Sequence, residues 1–586
     1  MESPLVLAAA LAVFLIVFVR NEFGLYLVIF SMLLSPQLGS GGTVAEGRRI
    51  VIRGEDLLLL IVAFSWLAKT AVNKELGLTL KTPLNRPILA YIAATAIATL
   101  IGYMTGTVAG YGGAFYVLKY VEYFVVYYMV VNNLTDRRQA WRLVTAAFLT
   151  AIIVSVIGLT QIPSGQRVSA PFEGKEGEPN TFGGYLLLLI AVAGGIALET
   201  VRIRTRAIYL GLAGLMSIPF MFTLSRTSYV GAIPAAAVMG VLSSRRRLMV
   251  GVLVVLIVAS PVVVSLLPES VTKRVHYTFE PERGQPTVRV GAVGLDPSTS
   301  ARLISIQQAF EGFTHRPIFG YGVTGFAFMD QQFARTLVET GIVGFAAFVA
   351  LMWAVLKVGI HSMRTLTIPE DRGLALGFVA GTVGLLGHAL GANTFIIVRI
   401  MEPFWFFAAI VVARARKIRL LVMDVDGVLT DGRMMLSERG DELKAFNTHD
   451  GIALALAKRA GIRTAMVTGE SSPIAKTRGT KLGVDSIVLG ARRKGEVVEA
   501  LRAEHNLPAE AVAFIGDDLL DIPAMQIVGL AVTVADAPTV VKAAAHHVTR
   551  AAGGHGAVRE LVELVLTSQR SWRRIVADYV REHGGR

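Results

Sequence analysis

The sequence predicts two folds in series: a polytopic all-α membrane domain over residues 1–415, then an α/β domain built on a parallel sheet over residues 416–586. Three observations predict it. Residues 1–413 are a succession of apolar runs near the ~20 residues that a spanning helix requires. Basic residues collect in the short loops between alternate runs. Past residue 417, short β-rich runs alternate with amphipathic helical stretches, the pattern of a parallel sheet covered on both faces.

Of the chain's residues 53% are apolar and 17% charged, more apolar than a soluble core needs. Runs such as Leu5–Val19, Pro87–Tyr103, Trp141–Thr160, Tyr185–Leu198, Leu248–Leu267 and Gly341–Val358 supply the excess. About twelve or thirteen such runs imply a polytopic membrane protein. The first run lacks an early basic region and a small-residue cleavage site, so it reads as a retained helix. The net charge of +14 does not indicate nucleic acid. The basic residues lie in loop clusters: Arg137/Arg138/Arg142, Arg202/Arg204/Arg206, Arg245/Arg246/Arg247 and Arg414/Arg416/Lys417/Arg419. By the positive-inside rule these face the cytoplasm, and the C-terminal domain with them. The polar stretch Pro268–Gln332 is then the extracytoplasmic loop 268–332. Arg48, Arg49 and Arg53 dissent, because parity puts them outside. With no cysteine, disulfides, thiolate metal sites and cysteine nucleophiles are excluded.

In the C-terminal domain the strand-like runs are Leu420–Val425, Thr464–Val467, Ala511–Ile515 and Leu530–Val534. Gly451–Ala460 and Lys494–Glu504 are helical. Asp424 and Asp426 end the first strand two residues apart, so they point the same way, into the crevice beyond the strand ends. One carboxylate can attack phosphorus and the other protonate the departing oxygen. The acidic cluster Asp517-Asp518-Leu519-Leu520-Asp521 follows another strand, and oxygen-only ligands suit Mg²⁺. Thr468 ends a strand and Lys494 opens a helix, where hydroxyl and ammonium can hold phosphoryl oxygens.

In this order, with the run DVDGVLTDG, these motifs resemble the haloacid dehalogenase superfamily, whose fold is Rossmann-like. "KAFNTHDG", "GDDLLDIPAM", "VADAPTVVKAAAHHVT" and "GGHGAVRE" narrow the resemblance to the small phosphatases, without a large cap, of 3-deoxy-D-manno-octulosonate 8-phosphate and related nonulosonate 9-phosphates. The resemblance spans 418–570. It implies Asp424 as nucleophile, Asp426 as acid/base, and Mg²⁺ bound by Asp424, the Asp426 carbonyl and Asp517, with Asp518 in support. It implies Asn447 as a substrate-binding residue. It also implies a tetramer in which a hairpin, here about Gly432–Phe446, and a neighbour's tail help close the site. Octulosonate enzymes carry TGR where this chain reads Thr468-Gly469-Glu470. The nonulosonate branch pairs such a Glu with a Lys eleven residues on, here Lys481. Glu470 and Lys481 would bind hydroxyls of a longer polyol, or else are ordinary surface residues.

In the membrane half, "TLSRTSYVG" places Arg226 and Ser228 at a helix end, and "SARLISIQQAFEGFTHRPIFGYGVTGF" places Arg302 ahead of a Gly-rich turn. Arginines there either bind the diphosphate of a lipid-linked sugar or anchor helix ends at the interface. With "QQFARTLVETGIVG" following, the order resembles the O-antigen ligase and polymerase superfamily, which implies a polyprenyl-diphosphate-linked glycan as substrate. A ligase would carry His-Asn where this chain has Asp330-Gln331, so Asp330 is the candidate base, with His315 and His276 as alternatives. Intramembrane Glu122 and Arg399 are further candidates without a role. The contrasting reading is a transporter, or an inactive membrane scaffold, whose tail only oligomerises. It predicts repeated halves or a broken catalytic set, and neither is seen.

Overall fold

The computed structural model describes residues 2–44, 48–72, 82–134, 137–173, 177–247, 249, 251, 272, 289–290, 293–294, 296–366, 368–414, 418–505, 507, 509–569 and 571–584. Nearly all of the run Leu248–Leu267, His276, most of the loop before Asp296, and Arg416 and Lys417 lie outside these residues. The chain divides into two compact units, Met1–Arg364 with Ile368–Val412, and Thr365–Thr367 with Ala413–Arg586.

The first unit is helical. Its described helices are α1 Glu2–Val19, α2 Asn21–Leu34, α3 Gly54–Val72, α4 Asn85–Met104, α5 Gly112–Asn133, α6 Arg137–Gln161, α7 Pro179–Glu199, α8 Ile203–Phe222, α9 Arg226–Leu242, α10 Pro297–His315, α11 Gln332–Thr365, α12 Pro369–His388 and α13 Val398–Arg414. Among the described residues six helices, α4 to α8 and α11, are long and apolar enough to cross a membrane. Two short hairpins, β1 Gln37–Val44 with β2 Arg48–Arg53 and β3 Arg289–Val290 with β4 Val293–Gly294, interrupt the helices.

Helix α7 is the centre of the bundle, with flanks buried almost all round. Small residues let its neighbours touch its backbone. A Cβ on Gly195 would lie 2.4 Å from the Gly377 nitrogen of α12, and one on Gly231 of α9 would lie 2.5 Å from the Gly384 carbonyl oxygen. These antiparallel contacts sort the helix ends. The starts of α7, α9 and α13 meet the C-terminal end of α12. At the opposite end, Glu199 pairs with Arg372 and takes Ser243 Oγ at 3.0 Å, beside the basic loops.

That sorting accounts for one of the dissenting arginines. Arg53 lies 3.7 Å from Glu55, which also faces the wholly buried Arg399 at 3.9 Å. Arg399 donates to the carbonyls of Pro171 at 2.9 Å and Ser35 at 3.0 Å and stands 3.6 Å from Glu173. Arg53 is thus matched inside a network at the end away from the basic loops.

The second unit holds a six-stranded parallel sheet in the order β12-β11-β10-β5-β8-β9. The strands are β5 Leu420–Met423, β8 Arg463–Val467, β9 Ser486–Val488, β10 Val512–Gly516, β11 Leu530–Thr533 and β12 His547–Val548. Runs such as Leu-Leu-Val-Met and Val-Ala-Phe-Ile are buried on both faces, as a sheet covered on two sides requires. The covering helices include α14 Thr448–Arg459, α15 Pro473–Leu482, α16 Lys494–Glu504, α17 Ile522–Met525, α18 Thr539–Ala544, α19 Ala557–Ser568 and α20 Trp572–Glu582. From β5 the chain winds outward to β8 and β9, then returns to β10 and winds the other way. The switch point lies between β5 and β10, where the strand ends leave a crevice. Between β5 and α14 stands only the hairpin β6 Met435–Leu436 with β7 Glu442–Leu443, with no large cap among the described residues.

Candidate active site

Three adjacent strands deliver the chemistry. Asp424 follows β5, with its amide donating to the Ile515 carbonyl at 3.0 Å, Thr468 follows β8, and Asp517 follows β10. Lys494, the first residue of α16, inserts from the side and is almost wholly buried. Its ammonium lies 2.7 Å from Asp424 Oδ2 and 2.7 Å from Asp521 Oδ1. Asp424 Oδ1 accepts from the Val425 amide at 2.7 Å. Gly427 turns the loop back at φ +83°, and a Cβ there would lie 2.0 Å from Asp517 Oδ2. Only glycine meets both demands.

Asp424, Asp517 and Asp521 can bring one carboxylate oxygen each within 4.8 Å of one another. Burial, followed by the Asp521 charge, lifts the Asp424 carboxyl to about 6 against the pull of Lys494. Burial, then Asp424 and Asp521, lifts Asp517 to about 8. Burial opposes the Lys494 charge, but the two aspartates outweigh it and raise its pKa. Asp517 Oδ1 is buried without a hydrogen-bond partner. Crowded carboxylates, an orphaned oxygen and an all-oxygen donor set fit a hard divalent cation.

Asp521 is the residue that sequence reasoning did not single out. Its Oδ2 accepts from the amides of Asp517 at 2.9 Å and Asp518 at 3.1 Å, while Oδ1 meets Lys494. Asp518 is exposed, and its carboxylate caps the following turn by accepting from the Leu519 amide at 2.7 Å. The carboxylate that stands beside Asp424 and Asp517 in this structure is Asp521. The spacing was the available signal, since Asp518 and Asp521 stand at the N-cap and N3 positions of the turn Leu519–Asp521, a capping box.

Asp426 is held by two donors, Thr468 Oγ1 at 3.2 Å and Lys444 Nζ at 2.5 Å. Lys444, just past β7, also lies 3.2 Å from Glu442, two residues earlier. Burial opposes its charge, and Asp426 and Glu442 restore it and raise the pKa. Asn447 caps α14, accepting from the His449 amide at 2.8 Å and donating to the Gly554 carbonyl at 3.3 Å. Its amide thus ties the KAFNTHDG and GGHG segments together. Glu470 and Lys481 are exposed at opposite ends of α15, about 12 Å of helix rise apart. One chain does not bring them together.

In the first unit, Arg226 makes a two-pronged ion pair with Asp296, at 2.7 and 3.0 Å. Asp296 is buried, and its carboxylate and carbonyl take Thr299 Oγ1 at 2.6 Å and the Ser300 amide at 2.9 Å, starting α10. Arg302, in the second turn of α10, has Nη1 3.9 Å from the Cβ position of Gly391, which would itself press on Thr227 at 2.5 Å. Asn393 donates to the Met329 carbonyl at 2.7 Å and lies 3.4 Å from Asp330 Oδ1. Arg302, Asp330 and the start of α9 therefore gather around the turn after α12. His315 is exposed at the end of α10, its Nδ1 2.9 Å from the Glu311 carbonyl. Glu122 pairs with Lys119 at 2.9 Å.

Comparison with known proteins agrees with both halves. Residues 211–349 match the O-antigen ligase family and residues 474–561 the haloacid dehalogenase-like hydrolases. The 3-deoxy-D-manno-octulosonate 8-phosphate phosphatase of Escherichia coli strain K12 is 43% identical over 162 residues, 28% of this chain and 86% of the relative. That of Yersinia pestis is 43% identical over 159 residues, 27% of this chain and 85% of the relative. Among solved structures, the Moraxella catarrhalis phosphatase of the same name, in complex with magnesium ion, phosphate ion and KDO, is 35% identical with a TM-score of 0.28, covering 28% of this chain and 95% of its own.

Proposed function

The chain belongs, through its C-terminal unit, to the 3-deoxy-D-manno-octulosonate 8-phosphate phosphatase family of haloacid dehalogenase-like hydrolases, and from that premise we propose that it hydrolyses a 2-keto-3-deoxy sugar phosphate with Mg²⁺, while its membrane half acts on a polyprenyl-diphosphate-linked glycan in surface polysaccharide synthesis. The observation behind the first part is Lys494 between Asp424 and Asp521 with Asp517 alongside. Asp424, Asp517 and the Asp426 carbonyl would hold Mg²⁺, which when bound would supply positive charge against the phosphoryl oxygens. Asp424 attacks phosphorus as the bond to the sugar oxygen breaks, and Asp426 gives that oxygen its proton. Asp426 then takes a proton from the water that frees the phosphate. Lys494 and Asp521 keep Asp424 oriented.

Glu470, standing where octulosonate enzymes carry arginine, supports a nine-carbon keto-acid 9-phosphate over the eight-carbon 8-phosphate. Lys481 shares that site only if a second copy supplies it, in keeping with a tetramer. The test is turnover of both substrates by residues 416–586, a stretch with its own hydrophobic core. Asp424→Asn, with folding intact, should be inactive. An eight-carbon preference of tenfold or more, about 1.4 kcal/mol of transition-state stabilisation, would refute the nine-carbon assignment.

For the membrane half, the supporting observation is the gathering of Arg302 and Asp330 at the end opposite the basic loops. Arg302 would hold the carrier diphosphate and Asp330 would take the proton of the acceptor hydroxyl. This reading puts the C-terminal unit in the cytoplasm and residues 268–332 outside.

A further inference from the structure

The hairpin β6–β7 is an exposed arm. Met434, Met435, Leu436 and Leu443 are each more than half exposed. Lys444 follows directly, yet its side chain is 1% exposed. Lysine ordinarily keeps its ammonium in water, so this burial against the trend of its neighbours needs a reason. Stabilising the hairpin is a poor one, since bringing a charge out of water costs about what its pairing returns. The partners supply a better one. Lys444 lies on Asp426, the acid/base, and on Glu442, whose other oxygen takes Ser472 Oγ at 3.1 Å. That chain of contacts ties the arm to the loop after β8, beside Thr468.

The charges around the pocket are uneven. Among the described residues, Asp424, Asp426, Glu442, Asp517 and Asp521 face two lysines. Lys494 is committed on the deep side, between Asp424 and Asp521. On the hairpin side the cation is Lys444, and it converges with the Thr468 hydroxyl on the same carboxylate, Asp426. A substrate bearing a phosphoryl group and a carboxylate would compete for both donors if it entered here. We propose that Lys444 is a substrate-binding residue, whose ammonium passes from Asp426 to an anionic group of the incoming sugar-acid phosphate while Glu442 keeps it in place. The exchange frees Asp426 from its ion pair as the substrate arrives. This rests on the phosphatase reading above.

The test uses the full chain in detergent with saturating Mg²⁺, comparing wild type, Lys444→Ala, Lys444→Gln and Lys444→Arg. Wild-type turnover of an ulosonate phosphate checks the phosphatase reading by itself. Lys444→Ala should raise KM for that substrate tenfold or more with a smaller change in kcat, and Lys444→Arg should recover part of the loss. p-Nitrophenyl phosphate and inhibition by inorganic phosphate distinguish the two anions. If their constants weaken too, Lys444 meets the phosphoryl group. If only the ulosonate substrate suffers, it meets the carboxylate. Should Lys444→Ala fail to fold, Lys444→Gln, which keeps a donor without the charge, carries the same expectation. An unchanged KM with a lowered melting temperature or kcat would mean a structural pin and overturn the proposal.

Discussion

Replacing Lys494 by methionine removes a charge and keeps most of the volume. In the folded domain the ammonium separates Asp424 from Asp521 at 2.7 Å on each side, and all three groups are out of water. Breaking a buried ion pair by removing one partner costs about 3–5 kcal/mol. For a domain of this size each kcal/mol shifts the melting temperature by about 2–4 °C, so the metal-free variant should melt roughly 6–20 °C below wild type. Mg²⁺ offers a substitute cation, so it should raise the melting temperature of Lys494→Met by more than it raises that of wild type. Turnover should fall about 10²–10³-fold even with Mg²⁺, as when one preorganised contact to a developing charge is lost. Calorimetry of residues 416–586 with and without Mg²⁺, alongside single-turnover kinetics, measures both effects. A variant melting within a degree of wild type, with no larger response to Mg²⁺, would refute the argument that Lys494 balances these carboxylates.

The raised carboxylates set a pH dependence. Asp424 and Asp517 release protons near 3.8 when unfolded but hold them to about 6 and about 8 when folded. Between those values the folded domain binds more protons, so the metal-free domain should lose stability as pH rises from about 4 to about 8, while stabilisation by Mg²⁺ grows over the same range. A flat metal-free profile from chemical denaturation at pH 5, 6.5 and 8 would count against it. In the membrane half, Arg302→Ala should lower glycan output ten- to hundredfold, the loss of one charge-assisted contact of about 1.5–3 kcal/mol, with partial recovery by Lys. The Arg226–Asp296 pair should instead behave as one unit, so Arg226→Ala and Asp296→Ala together should cost no more than either alone. Strict additivity of surface glycan length at matched protein levels would separate them. Single cysteines at positions 285 and 500 of this cysteine-free chain should react with an impermeant reagent in intact cells only at 285.

Much of this was legible in the residues. The β5 and β10 runs, apolar throughout and ending in acids, announced central parallel strands with a site at their ends, because burial on both faces leaves nothing to alternate. Asp424, Thr468, Lys494 and Asp517 could be ordered for the same reason, each standing one step past a strand or at a helix start, with Asp426 two residues beyond Asp424. What was not legible depends on where side chains turn. Asp518 and Asp521 are equivalent letters, and only the tight turn after Asp517 sends one to the surface and the other to Lys494. Lys444 read as part of a hairpin, and its burial comes from tertiary contact with Asp426. Glu470 and Lys481 are exposed in a loop and at the far end of the helix that follows it, so their distance in space depends on that helix. The Arg226 fork was matched by a carboxylate 70 residues away, which no local pattern reveals.

Strand β5 is both the first strand of the C-terminal sheet and one of its inner strands. The polypeptide enters it at Leu420 and reaches Asp424 just past its far end, about four residues and ~13 Å later. A domain wired this way has its attachment point and its working end at opposite poles. Whatever sequence precedes it can be exchanged without touching the carboxylates, which makes the domain a ready passenger in gene fusion. Once fused, its copy number in the cell is set by that of the helices before it, and its search for substrate becomes that of an anchored enzyme, for which only the sugar phosphate moves freely.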